Sequence, residues 1–291
     1  MSRVALATLF ALLAFAANSI LCRMALRHAS IDPASFTSVR LVAGALTLWI
    51  LVWVGRRRIS GAGNWTSAFV LLAYALAFSF AYVAVTVGTG ALLLFGAVQL
   101  IMISVGLAGG ERIDWGIAVG WLLAVTGLVL LVFPGVSAPP PTQAALMLCA
   151  GVAWGCYSLR GRSSSDPLRD TAGNLIRAAP GALIISALMW RHSSFDRTGL
   201  LLAALSGSVA SGIGYAAWYT ALPRLRAIAA ANLQLSVPLL ASLGGVLLFG
   251  EPITIRLATS SVLLLGGIAL ATRHSIQRVS RRSSDSQRPQ S

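Results

Sequence analysis

The chain has 291 residues, of which 57% are hydrophobic and only 10% are charged. Soluble domains carry about 25% charged residues, so this composition excludes an ordinary soluble enzyme and a disordered protein. All 22 basic residues are arginine, and the absence of lysine excludes both a P-loop and Schiff-base chemistry.

Apolar segments of about 20 residues, the length that crosses a bilayer, alternate with short polar connections. No charged residue occurs between Arg58 and Glu111 or between Asp114 and Arg160, and each of these stretches is long enough for two spans. In chain order the predicted spans are 3–27, 34–54, 65–87, 90–109, 113–133, 143–161, 171–190, 199–222, 227–249 and 254–273. The sequence therefore predicts an all-α membrane protein with ten transmembrane helices.

The distribution of the arginines predicts the orientation of the spans, because cytoplasmic loops are enriched in basic residues. Fifteen arginines fall in one set of alternating loops and termini, five fall in the other set, and Arg40 and Arg177 lie inside spans. Both termini are therefore predicted to face the cytoplasm, with the chain crossing a bacterial-type inner membrane several times. The basic tail is interpreted as a topology signal or a contact with anionic lipid, which argues against a nucleic-acid partner despite the net charge of +14.

The two halves of the chain resemble each other at fixed spacings. Glu111 and Glu251 are 140 residues apart, and Arg40 and Arg177 are 137 residues apart. Because five spans per half place the second copy in the opposite orientation, we predict a 5+5 inverted-topology repeat, whose substrate site would lie near the midplane between the halves. The predicted boundaries are 1–137 for the first half, 138–273 for the second, and 274–291 for a disordered cytoplasmic tail.

This plan resembles the drug/metabolite transporter superfamily, with two EamA-type halves. The resemblance is carried by Trp154-Gly155 in the sixth span, by Pro238 in the ninth span with Gly250-Glu251 at its end, and by Gly110-Glu111-Arg112. The first half departs from the pattern, with Ala17-Asn18 where Trp-Gly is expected and Val98 in the place that Pro238 has in the second half. The likeness to YddG-type amino-acid exporters implies export of amino acids or related small metabolites through a central cavity.

Polar and aromatic side chains deep in the spans are the candidate substrate contacts. Amide groups suit the ammonium and carboxylate of an amino acid, and aromatic faces suit an apolar or aromatic side chain. Packing or hydrogen bonding between helices is the alternative role for each of them. The candidates are Asn18, Phe78, Tyr82, Gln99, Trp154, Tyr157, Tyr215, Trp218, Asn232 and Gln234.

Arg40 and Arg177 are the two charges placed inside spans, where a charge is costly. We predict two symmetry-related Arg–Glu arrangements that hold helices or gate the pathway, Arg40 with Glu251 at one mouth and Arg177 with Glu111 at the other. Snorkelling to lipid phosphate is the alternative for both arginines. Pro238 is predicted to kink the ninth span beside the pathway.

No acidic residue or histidine falls at mid-membrane in the predicted spans, which favours transport without carboxylate-based proton coupling. No catalytic or metal-binding motif occurs, so we expect no enzyme activity, no metal and no cofactor. The expected partners are a small-molecule substrate and the lipid bilayer. The sequence leaves the oligomeric state open, and it is compatible with a monomer. The alternatives are a multidrug or other-metabolite exporter of the same fold, and a channel-like or structural membrane protein.

Overall fold

The structure is a computed structural model that describes residues 3–55, 59, 61–108, 115–161, 164–221 and 233–285. All regular structure in these residues is helical. The helices are α1 (Arg3–His28), α2 (Pro33–Val54), α3 (Trp65–Tyr82), α4 (Val87–Ala108), α5 (Trp115–Val132), α6 (Pro141–Gly161), α7 (Pro167–Leu188), α8 (Arg197–Ala221), α9 (Ser236–Phe249) and α10 (Ile255–Asp285), with a single 3-10 turn at Trp190–His192.

Eight of these helices, α1 to α8, are long and apolar enough to cross a membrane. Ser236–Phe249 and Ile255–Ala271 are shorter apolar helices. The predicted all-helical membrane fold is confirmed at this level. Helical backbone continues in α10 as far as Asp285, into the segment from residue 274 for which the composition predicts disorder.

Asp-Pro pairs start two corresponding helices. Asp32 precedes Pro33 at the start of α2, and its carboxylate accepts hydrogen bonds from the backbone N–H groups of Ala34 and Ser35. Asp166 precedes Pro167 at the start of α7 and accepts from the N–H of Arg169. The carboxylate satisfies donors that the helix leaves unpaired, and proline at the first helical position has no N–H to satisfy.

The contacts between helices link the early and the late parts of the chain. Helix α6 packs on α3 and α4, and α1 packs on α8 and α9. Helix α7 packs on α3, and α2 packs on α8. Close pairs are also formed by α2 with α7, by α4 with α9 and by α5 with α10.

Glycines let α5 and α10 approach until their backbones touch. A Cβ at Gly267 would lie 2.5 Å from the carbonyl oxygen of Gly120, and a Cβ at Gly127 would lie 2.8 Å from the carbonyl oxygen of Ser260. Residue numbers rise along one helix as they fall along the other, so the two helices are antiparallel. Close backbone approach at small residues is a common way for helices to associate in a membrane.

Helix α8 contains a π-helical segment, Ser206–Ile213, between an α-helical start and an α-helical end. Its small residues allow it to pack directly on α2, where Gly207 lies against the backbone of Arg40 and Gly212 against Thr47. The π segment therefore borders the same stretch of α2 that carries the buried arginine. Such segments occur often at functional sites.

The connection between α3 and α4 falls at residues 83–86 rather than at the predicted break near Gly88-Thr89-Gly90. Helix α4 begins at Val87, whose backbone N–H donates to the Glu251 carboxylate over 2.8 Å. A carboxylate at a helix N-terminus satisfies a free donor and complements the helix dipole. The helix thus starts earlier because of a residue that lies 164 positions away along the chain.

Candidate functional site

A central cavity lies within the helix bundle. Its lining comes from α1, α3, α4, α6 and the π and C-terminal parts of α8. The lining residues are Phe15, Asn18, Ser19, Tyr74, Phe78, Leu94, Phe95, Trp154, Ala210, Ser211 and Tyr215. A mostly apolar and aromatic wall with a few polar groups is the usual composition of a small-molecule site.

The rings of the cavity wall form one continuous aromatic chain with Trp154 at its centre. The Trp154 ring centroid lies 4.8 Å from that of Tyr74, 5.3 Å from that of Tyr215 and 5.7 Å from that of Tyr157. The chain continues from Tyr74 through Phe78 to Tyr82, and from Tyr215 through Phe15 to Trp218. These contacts lie in the range of favourable ring pairs, so the wall is held in a defined shape.

Helical periodicity explains why these rings meet. Tyr74, Phe78 and Tyr82 follow one another at intervals of four along α3, and Tyr215 and Trp218 are three apart on α8. Side chains at these spacings lie on the same face of a helix. Each helix therefore presents its aromatic stripe to the same interior space.

The polar groups of the cavity are only partly engaged. The Ser206 hydroxyl donates to Asn18 Oδ1 over 2.7 Å and joins α8 to α1. The hydroxyl of Ser211 is buried without a hydrogen-bond partner among the described residues. A buried polar atom without a partner is costly, and a bound ligand is one way to satisfy it.

Arg40 is buried against the aromatic wall, with 2% of its surface exposed. Its guanidinium carbon lies 4.8 Å from the ring centroid of Phe78 and 5.4 Å from that of Tyr74. Nη2 donates to the Tyr74 hydroxyl over 3.1 Å, while Nε and Nη1 have no hydrogen-bond partner among the described residues. The cation is thus held mainly by two ring faces, both of which also line the cavity.

Arg177, the counterpart of Arg40 in the second half, is half-buried and differently placed. Its guanidinium donates to the carbonyl oxygens of Ala62 and Gly173 and lies over the Trp65 ring. Arg177 therefore ties α7 to the segment before α3. The expected equivalence of the two arginines does not extend to their surroundings.

Glu251 closes one end of the bundle, which we call the Glu251 end. Its carboxylate lies 3.4 Å from Arg23 Nε and accepts from the N–H of Val87. Arg23 also donates to the carbonyl oxygens of Tyr82 and Val83. The prediction that Glu251 pairs with Arg40 is therefore wrong, because Arg23 reaches the carboxylate from the end of α1 while Arg40 points into the aromatic wall.

A second, polar cavity lies at the opposite end, which we call the Asp170 end. Asp170 accepts from the N–H of Gly63 over 3.0 Å, and the side-chain oxygen of Asn174 accepts from the N–H of Asn64 over 2.8 Å. Asn174 also donates to the hydroxyl of Tyr157, which donates to Thr171. The residues that line this cavity are Asn64, Ser67, Tyr157, Arg160, Gly161, Ser164, Pro167, Asp170, Thr171 and Asn174.

The stacked pair Trp154 and Tyr157 lies between the two cavities. Trp154 lines the central cavity, and Tyr157 lines the cavity at the Asp170 end. Because these rings are one turn apart on α6, a small movement of α6 would change the separation between the cavities. The described residues thus form a polar vestibule, a double-ring barrier and an aromatic chamber in series.

Part of the chain matches a known protein family. Residues 142–273 match the EamA-like transporter family. A protein of Pseudomonas aeruginosa, described as uncharacterized, is 50% identical over 280 residues, which cover 96% of this chain and 98% of that protein. Residues 142–273 therefore form an EamA-like transporter family domain.

Two further likenesses are more distant. An Archaeoglobus fulgidus protein described as an uncharacterized transporter is 28% identical over 171 residues, or 56% of this chain and 59% of that protein. A crystal structure with 19% sequence identity covers 93% of this chain and 99% of its own chain, with a TM-score of 0.66, and this likeness concerns the fold. The family match falls on the half that carries Trp154-Gly155 and Gly250-Glu251, which confirms the predicted superfamily.

Four predicted contact residues line the central cavity of this EamA-like protein: Asn18, Phe78, Trp154 and Tyr215. Tyr82 and Trp218 are each one ring contact away from the lining, and Tyr157 lines the second cavity instead. Gln99 is buried with Nε2 lacking a described partner, and Gln234 is half-buried; neither lines a described cavity.

Three other predicted residues need separate mention. Asn232 and Glu111 lie outside the described residues, so the predicted pairing of Arg177 with Glu111 is outside them as well. Pro238 lies in the first turn of α9, three residues after the helical backbone is interrupted at Leu235. The interruption thus precedes the proline, at a place where a missing backbone N–H costs little.

Two lining residues of the aromatic chain, Phe15 and Tyr74, were not among the predicted substrate contacts. Each had a signal in the sequence: Tyr74 is four residues before Phe78, and Phe15 is three residues before Asn18. Extending each predicted stripe by one turn would have found both. Among the described residues, no group of three or more His, Cys, Asp or Glu side chains is placed to hold a metal ion.

Proposed function

We propose that this EamA-like protein exports amino acids with aromatic or hydrophobic side chains, or related small metabolites, by alternating access through the central cavity. The observation that carries the proposal is the cavity itself. Its rings from α1, α3, α6 and α8 suit an aromatic or apolar side chain, and the amide of Asn18 and the unpaired hydroxyl of Ser211 suit a polar head group. A structural membrane protein would not need a chamber of this kind.

The packing supports the proposed 5+5 inverted repeat of ten spans, with halves 1–137 and 138–273 and a tail 274–291. A shift of 140 residues exchanges the two backbone contacts of the α5–α10 crossing, since it carries Gly120 to Ser260 and Gly127 to Gly267. The neighbours of α3 and α8 correspond in the same way. Repeats of opposite orientation allow one half to rock against the other around a central site.

The proposed orientation places both termini and the Asp170 end in the cytoplasm, and the Glu251 end outside. In this orientation the contacts among Arg23, Glu251 and Val87 form the outer gate, and the polar vestibule leads from the cytoplasm to Trp154 and Tyr157. Substrate would enter from the cytoplasm, which is the direction that export requires. Pro238, at the start of α9, and Arg177, which ties α7 to the segment before α3, are proposed to hold the moving helices in place.

Transport is proposed to proceed without carboxylate-based proton coupling. None of the described residues that line the central cavity is acidic or a histidine. Proton-coupled carriers place such a group in the pathway. The direction of net flux would then follow the substrate gradient.

Competitive uptake by purified protein in proteoliposomes tests the proposed function. Labelled L-tryptophan should enter saturably, and unlabelled tryptophan, phenylalanine and leucine should compete, whereas lysine and glutamate should not. Protein-free liposomes are the control for passive entry. A flat response to every amino acid, together with transport of an apolar cationic dye, would replace this proposal with the multidrug alternative.

A further inference from the structure

Arg40 is a buried cation whose charge the described fold does not neutralise. It is among the largest fully buried side chains, and its Nε and Nη1 have no described hydrogen-bond partner. A charged group taken out of water costs several kcal/mol unless it is paired. Two aromatic faces and one phenol recover only part of that cost.

The counterpart arginine shows that the repeat itself does not require a free cation at this position. Arg177 satisfies its guanidinium with the carbonyl oxygens of Ala62 and Gly173. Of the two arginines, only Arg40 has two guanidinium nitrogens without a hydrogen-bond partner among the described residues, and they lie beside the cavity. This difference between the halves indicates that the role of Arg40 lies in the site rather than in the packing.

Tyr74 connects this cation to the cavity. Its hydroxyl accepts a hydrogen bond from Arg40, which leaves the phenolic proton free to be donated, and its ring lines the chamber. Phe78, the other ring against the guanidinium, lines the chamber too. An anionic group in the chamber can therefore reach the phenol directly and the cation beside it.

We infer that Arg40, together with the Tyr74 hydroxyl, recognises the carboxylate of the transported molecule. The inference deepens the proposed function and rests on it, because it names the group by which an aromatic substrate is held. No acidic residue is among the described lining, so the ammonium group of an amino acid has only ring faces and neutral polar atoms around it. The site is thus selective for the carboxylate and tolerant of the loss of the amine.

Analogues that lack one of the two charged groups test this inference on the unaltered protein. Indole-3-propionate keeps the ring and the carboxylate of tryptophan, whereas tryptamine keeps the ring and the amine. We expect indole-3-propionate to displace labelled L-tryptophan from the detergent-purified protein within about tenfold of tryptophan itself, and tryptamine to be at least 10- to 100-fold weaker, the range of a lost hydrogen bond to a charged group.

The outcomes separate the two proposals. If tryptophan binds and tryptamine competes as well as indole-3-propionate, the role of Arg40 is refuted while the export of aromatic amino acids stands. If neither tryptophan nor any other amino acid binds, the proposed function itself fails. A result in which only indole-3-propionate loses affinity would also refute the role of Arg40.

Three substitutions locate the effect in the chain. Arg40→Gln should weaken tryptophan binding roughly 10- to 100-fold and remove the preference for indole-3-propionate over tryptamine. Arg40→Lys, which keeps the charge, should retain the preference, and Arg177→Gln, the counterpart position, should leave it unchanged. If Arg40→Gln yields no folded protein, the comparison of Arg40→Lys with the unaltered protein carries the test, and equal affinities for the two analogues in either would overturn the inference.

Discussion

At the scale of single residues, Trp154 contacts more rings of the chamber than any other described side chain. It stacks against Tyr157 of α6 and Tyr215 of α8 and makes a tilted contact with Tyr74 of α3. Its indole therefore fixes the positions of rings from three helices at once. Loss of this ring would enlarge the chamber and loosen the barrier towards the Asp170 end.

Replacing Trp154 by alanine should raise the Kd for an aromatic amino acid by about tenfold or more, since each ring pair contributes about 0.5–1.5 kcal/mol beyond its buried area. Trp115→Ala is the matched control, because Trp115 is 77% exposed and should serve only as an interfacial anchor. Tryptophan-binding isotherms on both variants measure the difference. Equal Kd values for the two variants would contradict the role given to Trp154.

Arg23 and Glu251 should behave as a coupled pair. Removing either charge leaves the other half-buried and uncompensated, whereas removing both leaves two neutral groups. In a cycle of Arg23→Gln, Glu251→Gln and the double variant, we expect the double variant to lose less in melting temperature than the two single losses together, with a coupling of about 1 kcal/mol. Strictly additive losses would show that the pair contributes nothing to closing the Glu251 end.

The depth of a residue along its span could be predicted from the sequence, but the direction in which its side chain points around the helix could not. Hydropathy separates the deep rings, such as Phe78 and Tyr215, from Trp53 and Trp115 near span ends, and the structure buries the first pair and exposes the second. Arg40 and Glu251, by contrast, were paired from their distance to the same membrane face. Which way each side chain points around its helix depends on neighbours that lie far away in the sequence.

At the scale of helices, the α5–α10 crossing offers a comparison between adjacent glycines. A Cβ at Gly267 would meet the backbone of Gly120 at 2.5 Å and that of Ala124 at 2.7 Å, whereas a Cβ at Gly266 would meet nothing within 4 Å. Both positions are inside α10, so the two substitutions change the intrinsic helix propensity equally.

Gly267→Ala should therefore lower the melting temperature of the purified protein, because the two helices must separate or shift. Gly266→Ala should leave it unchanged or raise it slightly, since alanine is favoured over glycine by about 1 kcal/mol in a helix interior. Thermal unfolding in one detergent checks both variants side by side. Equal melting temperatures would show that the crossing tolerates extra volume and that the close approach is not needed.

Local signals mark some helix starts, although the prediction did not use all of them. The predicted start at 34 is within one residue of the observed start of α2 at Pro33, whereas the predicted start at 171 is four residues after the observed start of α7 at Pro167, which follows Asp166. The start of α4 was misplaced by three residues because its cap comes from Glu251, and nothing near Val87 reveals that partner. Long-range caps of this kind are invisible to any reading of a sequence window.

At the scale of the whole molecule, the missing acidic lining constrains what can drive transport. In proteoliposomes with an imposed pH gradient, labelled tryptophan should reach the same final level as without the gradient, because no described group at the cavity carries a proton through the cycle. Uptake at several internal and external pH values measures this level. Accumulation above equilibrium that collapses with an ionophore would show that protons are coupled by another route.

The all-helical membrane fold was predictable because hydropathy acts over many residues. Long apolar segments predict helices at nearly the observed positions. The chamber was predictable only in part, since Phe15 and Tyr74 complete it from one turn beyond the predicted residues. A site formed by five helices depends on their relative rotations, which hydropathy does not record.

The π segment of α8 has a consequence for how relatives of this protein are aligned. An α-helix turns by about 100° per residue, and a π segment absorbs one extra residue, so the residues after it keep the register of an α-helix that is one residue shorter. If Ser206–Ile213 were α-helical instead, Tyr215 and Trp218 would be turned by about 100° from their observed directions. Relatives that lack one residue here would therefore present the same side chains to the chamber, and an alignment gap placed several positions away would equate residues that do not occupy the same place.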